Sequence, residues 1–291
     1  MRRILPDRLF PGLSSGKRLR RTIAVILLVI LIFAAFDVRM AVRRYVIDAE
    51  EITSNVRIAL VTDLHSCRYG KGQDALIKAV DDLQPDLVLL GGDIFDDDLP
   101  DENAALFLAG IAGRYPCYYV TGNHEYLSGT ERFSVMMSIL RNCGVTVLSG
   151  ECVTVCVNGE AINLCGVDDP EAYAAASDER KAFLEQLGRA SSASENGCYT
   201  VLLSHRPEFL DDYAGCGFDL ALCGHAHGGQ WRLPWILNGL FAPNQGLFPK
   251  YAGGQYSQSD TVMIVSRGLA RESTRIPRIF NRPELLLIEL E

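Results

Sequence analysis

From Val56 onward, apolar residues fall in short unbroken blocks separated by stretches in which they recur at helical spacing. Val56–Thr62 reads as an apolar strand and Leu87–Leu90 as a fully apolar one of the kind buried on both faces of a sheet, and Gln73–Leu83 between them has helical periodicity. The three predict a strand-helix-strand unit with a right-handed crossover. Ala104–Ala112 and Cys117–Val120 predict the next helix and strand, and Glu131–Arg141 a helix ahead of a short strand at Val145–Leu148. Cys152–Val157 and Ala161–Cys165 flank Asn158-Gly159, a pair that favours a type I′ hairpin, so antiparallel pairing enters here. Asp178–Leu187 reads as a helix and Ser191–Gly197 as a polar surface loop. Val201–Leu203, Asp219–Cys223 and Leu285–Leu290 supply further strands. The pattern is α/β with antiparallel additions, and it contains no internal repeat.

Ahead of this body, Ile23–Phe36 is an uncharged apolar block of 14 residues preceded by Lys17, Arg18, Arg20 and Arg21. It reads as an uncleaved signal anchor, in preference to a removed signal or a buried helix, with Met40, Ala41 and Val42 extending it if Asp37 and Arg39 snorkel. The expected organisation is a basic cytoplasmic N-terminus at 1–22, a transmembrane anchor at 23–42, a connector at 43–55 with an edge strand at Tyr45–Ile47, and one domain over 56–291. By the positive-inside rule, that places the body outside a cell membrane as a single-pass protein. Residues 1–44 carry ten Lys/Arg against Asp7 and Asp37 within a chain of net charge −8, leaving the body at about −16. So acidic a body disfavours extended nucleic acid, while bound metal would still admit small anionic substrates. Nine cysteines leave at least one thiol unpaired. Most sit in apolar runs and read as small buried hydrophobes; a bridge among Cys152, Cys156 and Cys165 stays open.

Polar motifs follow the apolar strands directly: Thr-Asp63-Leu-His65, Gly-Gly-Asp93, Gly-Asn123-His124-Glu125, Ser-His205-Arg-Pro and Gly-His225-Ala-His227-Gly-Gly. Strand ends are where α/β sheets build their sites, so five strands can bring oxygen and nitrogen donors into one crevice. Each motif alone is weak. The chain has five histidines, however, and all five fall in these motifs, which scattered structural histidines would rarely do.

The five blocks, in this order, resemble the calcineurin-like metallophosphoesterases, whose pattern runs D-x-H, GD, GNH(D/E), H and GHxH. The resemblance covers roughly residues 56–291. Gly-His225-Ala-His227-Gly-Gly-Gln, Phe-Pro-Lys-Tyr, Ser-Arg-Gly-Leu and the closing Arg-Pro-Glu resemble in particular the membrane-associated branch that includes the YkuE-like phosphoesterases. The resemblance implies a four-layer sandwich of two mixed β-sheets flanked by helices. It also implies two divalent metal ions, manganese first and iron or zinc as alternatives. Asp63, His65 and His227 would then hold one ion, Asn123, His205 and His225 the other, and Asp93 would bridge them. Such a pair shares and activates a hydroxide for in-line attack on phosphorus. His124 would lie near substrate and protonate the leaving oxygen or steady the transition state.

Glu125 is read either as a hydrogen-bonding support for the ligands or as a solvated loop acid. Asp96, Asp97 and Asp98 read as an acidic solvated loop, Asp168 and Asp169 as turn formers before Pro170, and Arg267 as part of a turn. Both tryptophans of the chain fall in Trp231–Phe241, just past the last predicted ligand. This segment is expected either to wall the site, or dip into a membrane interface, for a lipid-linked phosphate ester, or simply to cover one sheet end. The predicted function is hydrolysis of phosphomono- or diester or pyrophosphate bonds. The alternatives are a catalytically silent scaffold of the same fold, or a metal-dependent ester or amide hydrolase on another fold.

Overall fold

Side chains alternate between the two faces of each strand, and this sorts the buried apolar residues into three separate cores. The computed structural model describes residues 12–192, 196–271 and 276–291. The chain begins with α1 (Gly12–Ala35), β1 (Ala41–Ile47), β2 (Val56–Val61), α2 (Asp74–Leu83), β3 (Leu87–Gly91), α3 (Glu102–Ile111) and β4 (Cys117–Val120). It continues through α4 (Asn123–Leu127), α5 (Thr130–Cys143), β5 (Thr146–Val147), β6 (Glu151–Val157), β7 (Glu160–Gly166), α6 (Glu179–Ser191), β8 (Tyr199–Leu203), α7 (Leu210–Ala214) and β9 (Leu220–Cys223). It closes with β10 (Phe241–Ala242), β11 (Gly246–Leu247), β12 (Gly254–Gln258), β13 (Thr261–Val265) and β14 (Glu284–Leu290).

One six-stranded sheet has the order β1-β14-β2-β3-β4-β5 and the other β12-β13-β9-β8-β7-β6, and each mixes parallel with antiparallel pairs. Ile58, Leu60, Leu87 and Leu89 of the first sheet meet Val201, Leu203, Leu220 and Leu222 of the second in the core between the sheets. Their alternates, Ala59, Val61, Val88 and Leu90, turn outward to pack with Leu76 and Val80 of α2 and Phe107 and Leu108 of α3. On the far side, Leu202, Ala221 and Cys223 pack with Phe183 and Leu187 of α6 and Tyr213 of α7. Three cores separating four layers is the sandwich anticipated from the motifs, and it explains why the central strands read as continuous apolar runs.

The expected helices and central strands form, with ends shifted by a few residues. The edge strand expected at Tyr45–Ile47 runs the full Ala41–Ile47 and pairs in parallel with the C-terminal β14. Arg43 ion-pairs with buried Glu284 at 2.8 Å, and Arg57 with buried Glu289 at 3.2 Å. The antiparallel pair β12 and β13 is absent from the sequence reading, because Gly254–Gln258 is polar and largely exposed. Cys152 and Cys165, directly paired across β6 and β7, form a disulfide. Residues 193–195 of the expected polar loop and 1–11 of the basic N-terminus lie outside the described residues.

The single-pass anchor expected at 23–42, with the body outside a cell membrane, is corrected by the structure. Among the described residues no helix is long and apolar enough to cross a membrane. The helix α1 ends at Ala35, and Ala41 and Val42, which an anchor needs for its last turn, are spent on β1. The uncharged block by itself gives roughly 21 Å of helix against a hydrocarbon core of about 30 Å.

Candidate metal centre

Every predicted site residue lies at the carboxyl end of a strand or in the first turn after it, and the two sheets bring those ends together. Asp63 and His65 follow β2, Asp93 follows β3, Asn123 and His124 open α4 after β4, His205 follows β8, and His225 and His227 follow β9. Donor atoms of Asp63, His65 and His227 lie within 4.8 Å of one another, and so do those of Asp93, His205 and His225. The Asp93 carboxylate stands between the two groups, with Oδ2 3.5 Å from His65 Nε2 and 3.1 Å from His205 Nε2.

The backbone here is held in an uncommon conformation. Asp63, His65, Asp93, His225 and His227 all have positive φ, between 47° and 65°, at a cost of about 1–3 kcal/mol each for residues other than glycine. Cross-strand hydrogen bonds hold that strain: Asp63 N donates to Gly92 O at 3.0 Å and His65 N to Asp93 O at 2.9 Å. His225 N donates to Asp63 Oδ1 at 2.9 Å, which ties the second sheet to the first. Two glycines of the motifs are explained by close approach. A Cβ at Gly122 would lie 2.2 Å from Asp93 Oδ1, and one at Gly224 would lie 2.6 Å from Asp63 Oδ2.

Five of these residues present a buried polar atom with no hydrogen-bond partner: Asp63 Oδ2, His65 Nε2, Asp93 Oδ2, Asn123 Oδ1 and His227 Nδ1. Leaving one such atom unsatisfied costs about 1–3 kcal/mol, so a convergent set of five is unexplained by the protein's own contacts. Oxygen and imidazole donors of this kind fit divalent cations. The surrounding hydrogen bonds leave the correct atoms free. Asp96 Oδ2 accepts from His65 Nδ1 at 2.9 Å, and Gly91 O accepts from His205 Nδ1 at 2.9 Å, so Nε2 is the nitrogen each ring would offer a cation once its proton is displaced. His225 faces His205 Nε2 through Nδ1 at 3.2 Å and meets Asn244 Oδ1 through Nε2 at 2.9 Å.

The electrostatics divide the histidines. Burial opposes a charge on His205, but Asp93 and Asp63 outweigh it and push the imidazole up to about 10. Burial, reinforced by the cationic neighbours Arg206 for His225 and His65 for His227, holds those two imidazoles well below their usual range, hence neutral. Burial also disfavours charge on Asp93, yet His205 and His65 keep it ionised, well below the ordinary carboxylate value.

Several residues passed over or left open in the sequence take definite places. Asp96 is buried, against the expectation of a solvated loop: besides holding His65, its Oδ1 accepts Asp98 N at 3.0 Å and Leu99 N at 2.8 Å. Asp97 accepts from His124 Nδ1 at 2.5 Å, while Asp98 is exposed as expected. A run of three aspartates gives no sign of which one turns inward; only the fold of the turn selects it. Glu125 is fully buried and accepts from the backbone amides of Gly122, Asp93, Ile94 and Phe95 at 2.8–3.2 Å. Burial and the charge of Asp93 push its carboxyl up to about 7. Asp169 accepts Glu171 N at 2.9 Å, the expected turn, and also pairs with the buried Arg206 beside His205. Asn244 was missed, since it lies 17 residues beyond His227 in a mixed stretch with no periodicity. The segment Trp231–Phe241 is no core cover: Trp235 is 104% and Ile236 84% exposed.

A family model for the calcineurin-like phosphoesterase matches residues 56–229. A metallophosphoesterase of Helicobacter pylori strain J99 is 30% identical over 224 residues, 75% of this chain and 55% of that protein, so the chain spans about half the length of that relative. Phosphodiesterase YaeI of Escherichia coli K12 is 28% identical over 239 residues, covering 80% of this chain and 82% of its own. Among solved structures, the 5'-nucleotidase precursor of Thermus thermophilus superposes with a TM-score of 0.51 at 15% identity, over 81% of this chain and 54% of that one, a likeness of fold. The family match spans the strands that carry the five motifs, and those motifs fold into one buried set of donors; the chain belongs to the calcineurin-like phosphoesterase family.

Proposed function

We propose that the chain is a dinuclear metal-dependent phosphoesterase that hydrolyses phosphodiester or phosphomonoester bonds. The observation that carries this reading is that five buried polar atoms without a hydrogen-bond partner belong to the strand-end residues that form two adjacent donor groups. Asp63, His65 and His227 would hold one ion, Asn123, His205 and His225 the other, and Asp93 both. Manganese suits the mixed oxygen and imidazole set, and iron or zinc would also fit. When bound, the two cations supply Lewis-acid polarisation of the phosphoryl oxygens and an activated water at neutral pH.

The remaining chemistry belongs to side chains. His124 is partly exposed at the mouth of the site, edge-on to His65 with ring centroids 4.4 Å apart. Because Asp97 accepts from Nδ1, Nε2 is the His124 ring nitrogen left to deliver a proton to the leaving oxygen. Glu125 fixes the turn carrying Asp93, and Asp96 fixes the ring of His65. Phosphodiester cleavage is favoured by the likeness to the Escherichia coli phosphodiesterase. The exposed apolar side chains of Trp231, Trp235 and Ile236, just beyond the last ligand, support a substrate with a lipid or other apolar part.

The test is turnover of bis(p-nitrophenyl) phosphate and p-nitrophenyl phosphate by the full chain, stripped of metal and resupplied with manganese, beside His225→Ala. Metal-dependent cleavage that the variant loses is the expected result. Metal bound stoichiometrically without cleavage of either ester would overturn it in favour of a silent scaffold.

A further inference from the structure

Apart from the candidate metal centre, the described residues form a cavity of about 650 Å³ between the Arg232–Asn238 loop, β1 and the segment before β14. That volume lies in the ordinary range for small-molecule sites, about 300–1,000 Å³. Its charged lining is unbalanced. Arg43, Arg232 and Arg267 all face it, and the neighbouring carboxylate is Glu284, fully buried beneath them, 2.8 Å from Arg43 Nε and 3.5 Å from Arg267 Nε. Three guanidinium groups against one carboxylate leave an excess of about two positive charges.

Arg232 is the group least accounted for. Its Nη1 donates to Gly228 O at 3.1 Å and its Nη2 to Asn238 Oδ1, neither of them charged. Burial, then the repulsion of Arg267, push its guanidinium down to about 10, an unusual position for an arginine. The Nε of Arg267 is buried and makes no hydrogen bond, with Glu284 its nearest carboxylate at 3.5 Å. An arginine cluster with unused donors is what anionic ligands select, and guanidinium matches phosphate oxygens in a bidentate geometry.

The rest of the lining is largely apolar. Leu233, Trp235, Ile236 and Phe280 contribute to it, and Trp235 and Ile236 project into solvent with nothing packed over them. A lining that combines arginines with apolar side chains suits an amphiphilic anion, and two uncompensated charges match a phosphate monoester, which carries about −1.5 to −2 at pH 7, better than a carboxylate.

We propose that this cavity binds a phosphate-headed amphiphile, its head on Arg232, Arg267 and Arg43 and its hydrocarbon chain against Trp235, Ile236 and Phe280. The site goes beyond the hydrolytic reading and stands without it, because none of these side chains is a predicted metal ligand.

The test is isothermal titration of the full chain with octyl phosphate, octanoate, octyl glucoside and inorganic phosphate, all below micelle-forming concentrations. Octyl phosphate should bind saturably and at least about tenfold more tightly than each of the others, since each lacks either one charge, all charge or the chain. Arg232→Gln should weaken octyl phosphate by about tenfold while leaving octyl glucoside unchanged. Trp235→Glu, at a fully exposed position where folding is not at stake, should weaken octyl phosphate as well. His225→Ala should retain octyl phosphate binding. Equal binding of octyl glucoside or octanoate, or no effect of either Arg232→Gln or Trp235→Glu, would overturn the proposal. Equal binding of inorganic phosphate would reassign the cavity to a free anion, and loss of octyl phosphate binding in His225→Ala would place the ligand at the metal centre; either result also overturns it.

Discussion

The strand ends around Asp93 and the loop that follows His227 both contain residues with positive φ, yet they hold them in opposite ways. Asp63, His65, Asp93, His225 and His227 are buried; backbone hydrogen bonds between neighbouring strand ends clamp the first three, Asp63 Oδ1 accepts from His225 N, and His227 O accepts from Asn281 Nδ2. Trp235 and Phe248 have φ of 64° and 56° in an exposed loop, with their side chains in solvent. Strain persists where the surroundings over-determine it, so the first region is a fixed template that orients donor atoms. The second is a surface free to adapt to what it touches. Asn244 links them: it lies on the loop and takes a hydrogen bond from the buried His225.

Substitutions graded by their distance from the template test that contrast. Asp93→Ala removes the carboxylate shared by both donor groups, and metal-dependent turnover should fall to the level of the metal-free protein, read with a chromogenic diester. His124→Ala should lower kcat by about 100–10,000-fold with metal content unchanged by elemental analysis; a variant that loses its metal instead would move His124 into the ligand set. Affinity for manganese should rise with pH by about tenfold per unit between roughly pH 6 and 8. The sign follows from His205: without metal it holds its proton up to about 10, metal binding requires the neutral ring, and raising the pH removes the competing proton. A flat profile in a competitive chelator titration would contradict it. Asp96→Asn keeps the shape of the turn but loses the anionic acceptor for His65, and should cost about 10–100-fold in metal affinity or activity. On the loop, Trp235→Glu should change thermal stability by no more than about 0.5 kcal/mol. It should reduce turnover of a lipid-linked phosphate more than that of a small soluble ester; equal losses would sever the loop from substrate choice.

What could be read from the sequence follows the same division. The ligand motifs were legible because each sits directly after an apolar strand, where chain order and burial leave little freedom for the side chain. The fully apolar strands gave the layered α/β fold for the same reason. Asp96 was not legible, since Asp96, Asp97 and Asp98 are chemically identical and only the turn closed by Asp98 N and Leu99 N points one of them at His65. The apolar N-terminal block misled because hydrophobicity reports a preference to leave water, while spanning requires length. The residues that would have completed the span have greater value as β1, paired along its whole length with β14.

Local pattern therefore determined the strand order in time, the helices between strands, and which residue types stand at the strand ends. It also determined the resemblance those residues carry. Pairings between distant segments were left to the tertiary structure: β1 with β14 across the whole chain, Arg232 with Arg267 and Arg43, Asn244 with His225. Such contacts depend on how two sheets pack face to face. That packing is set by the sum of many weak apolar contacts in the shared core, and no short stretch of sequence contains it.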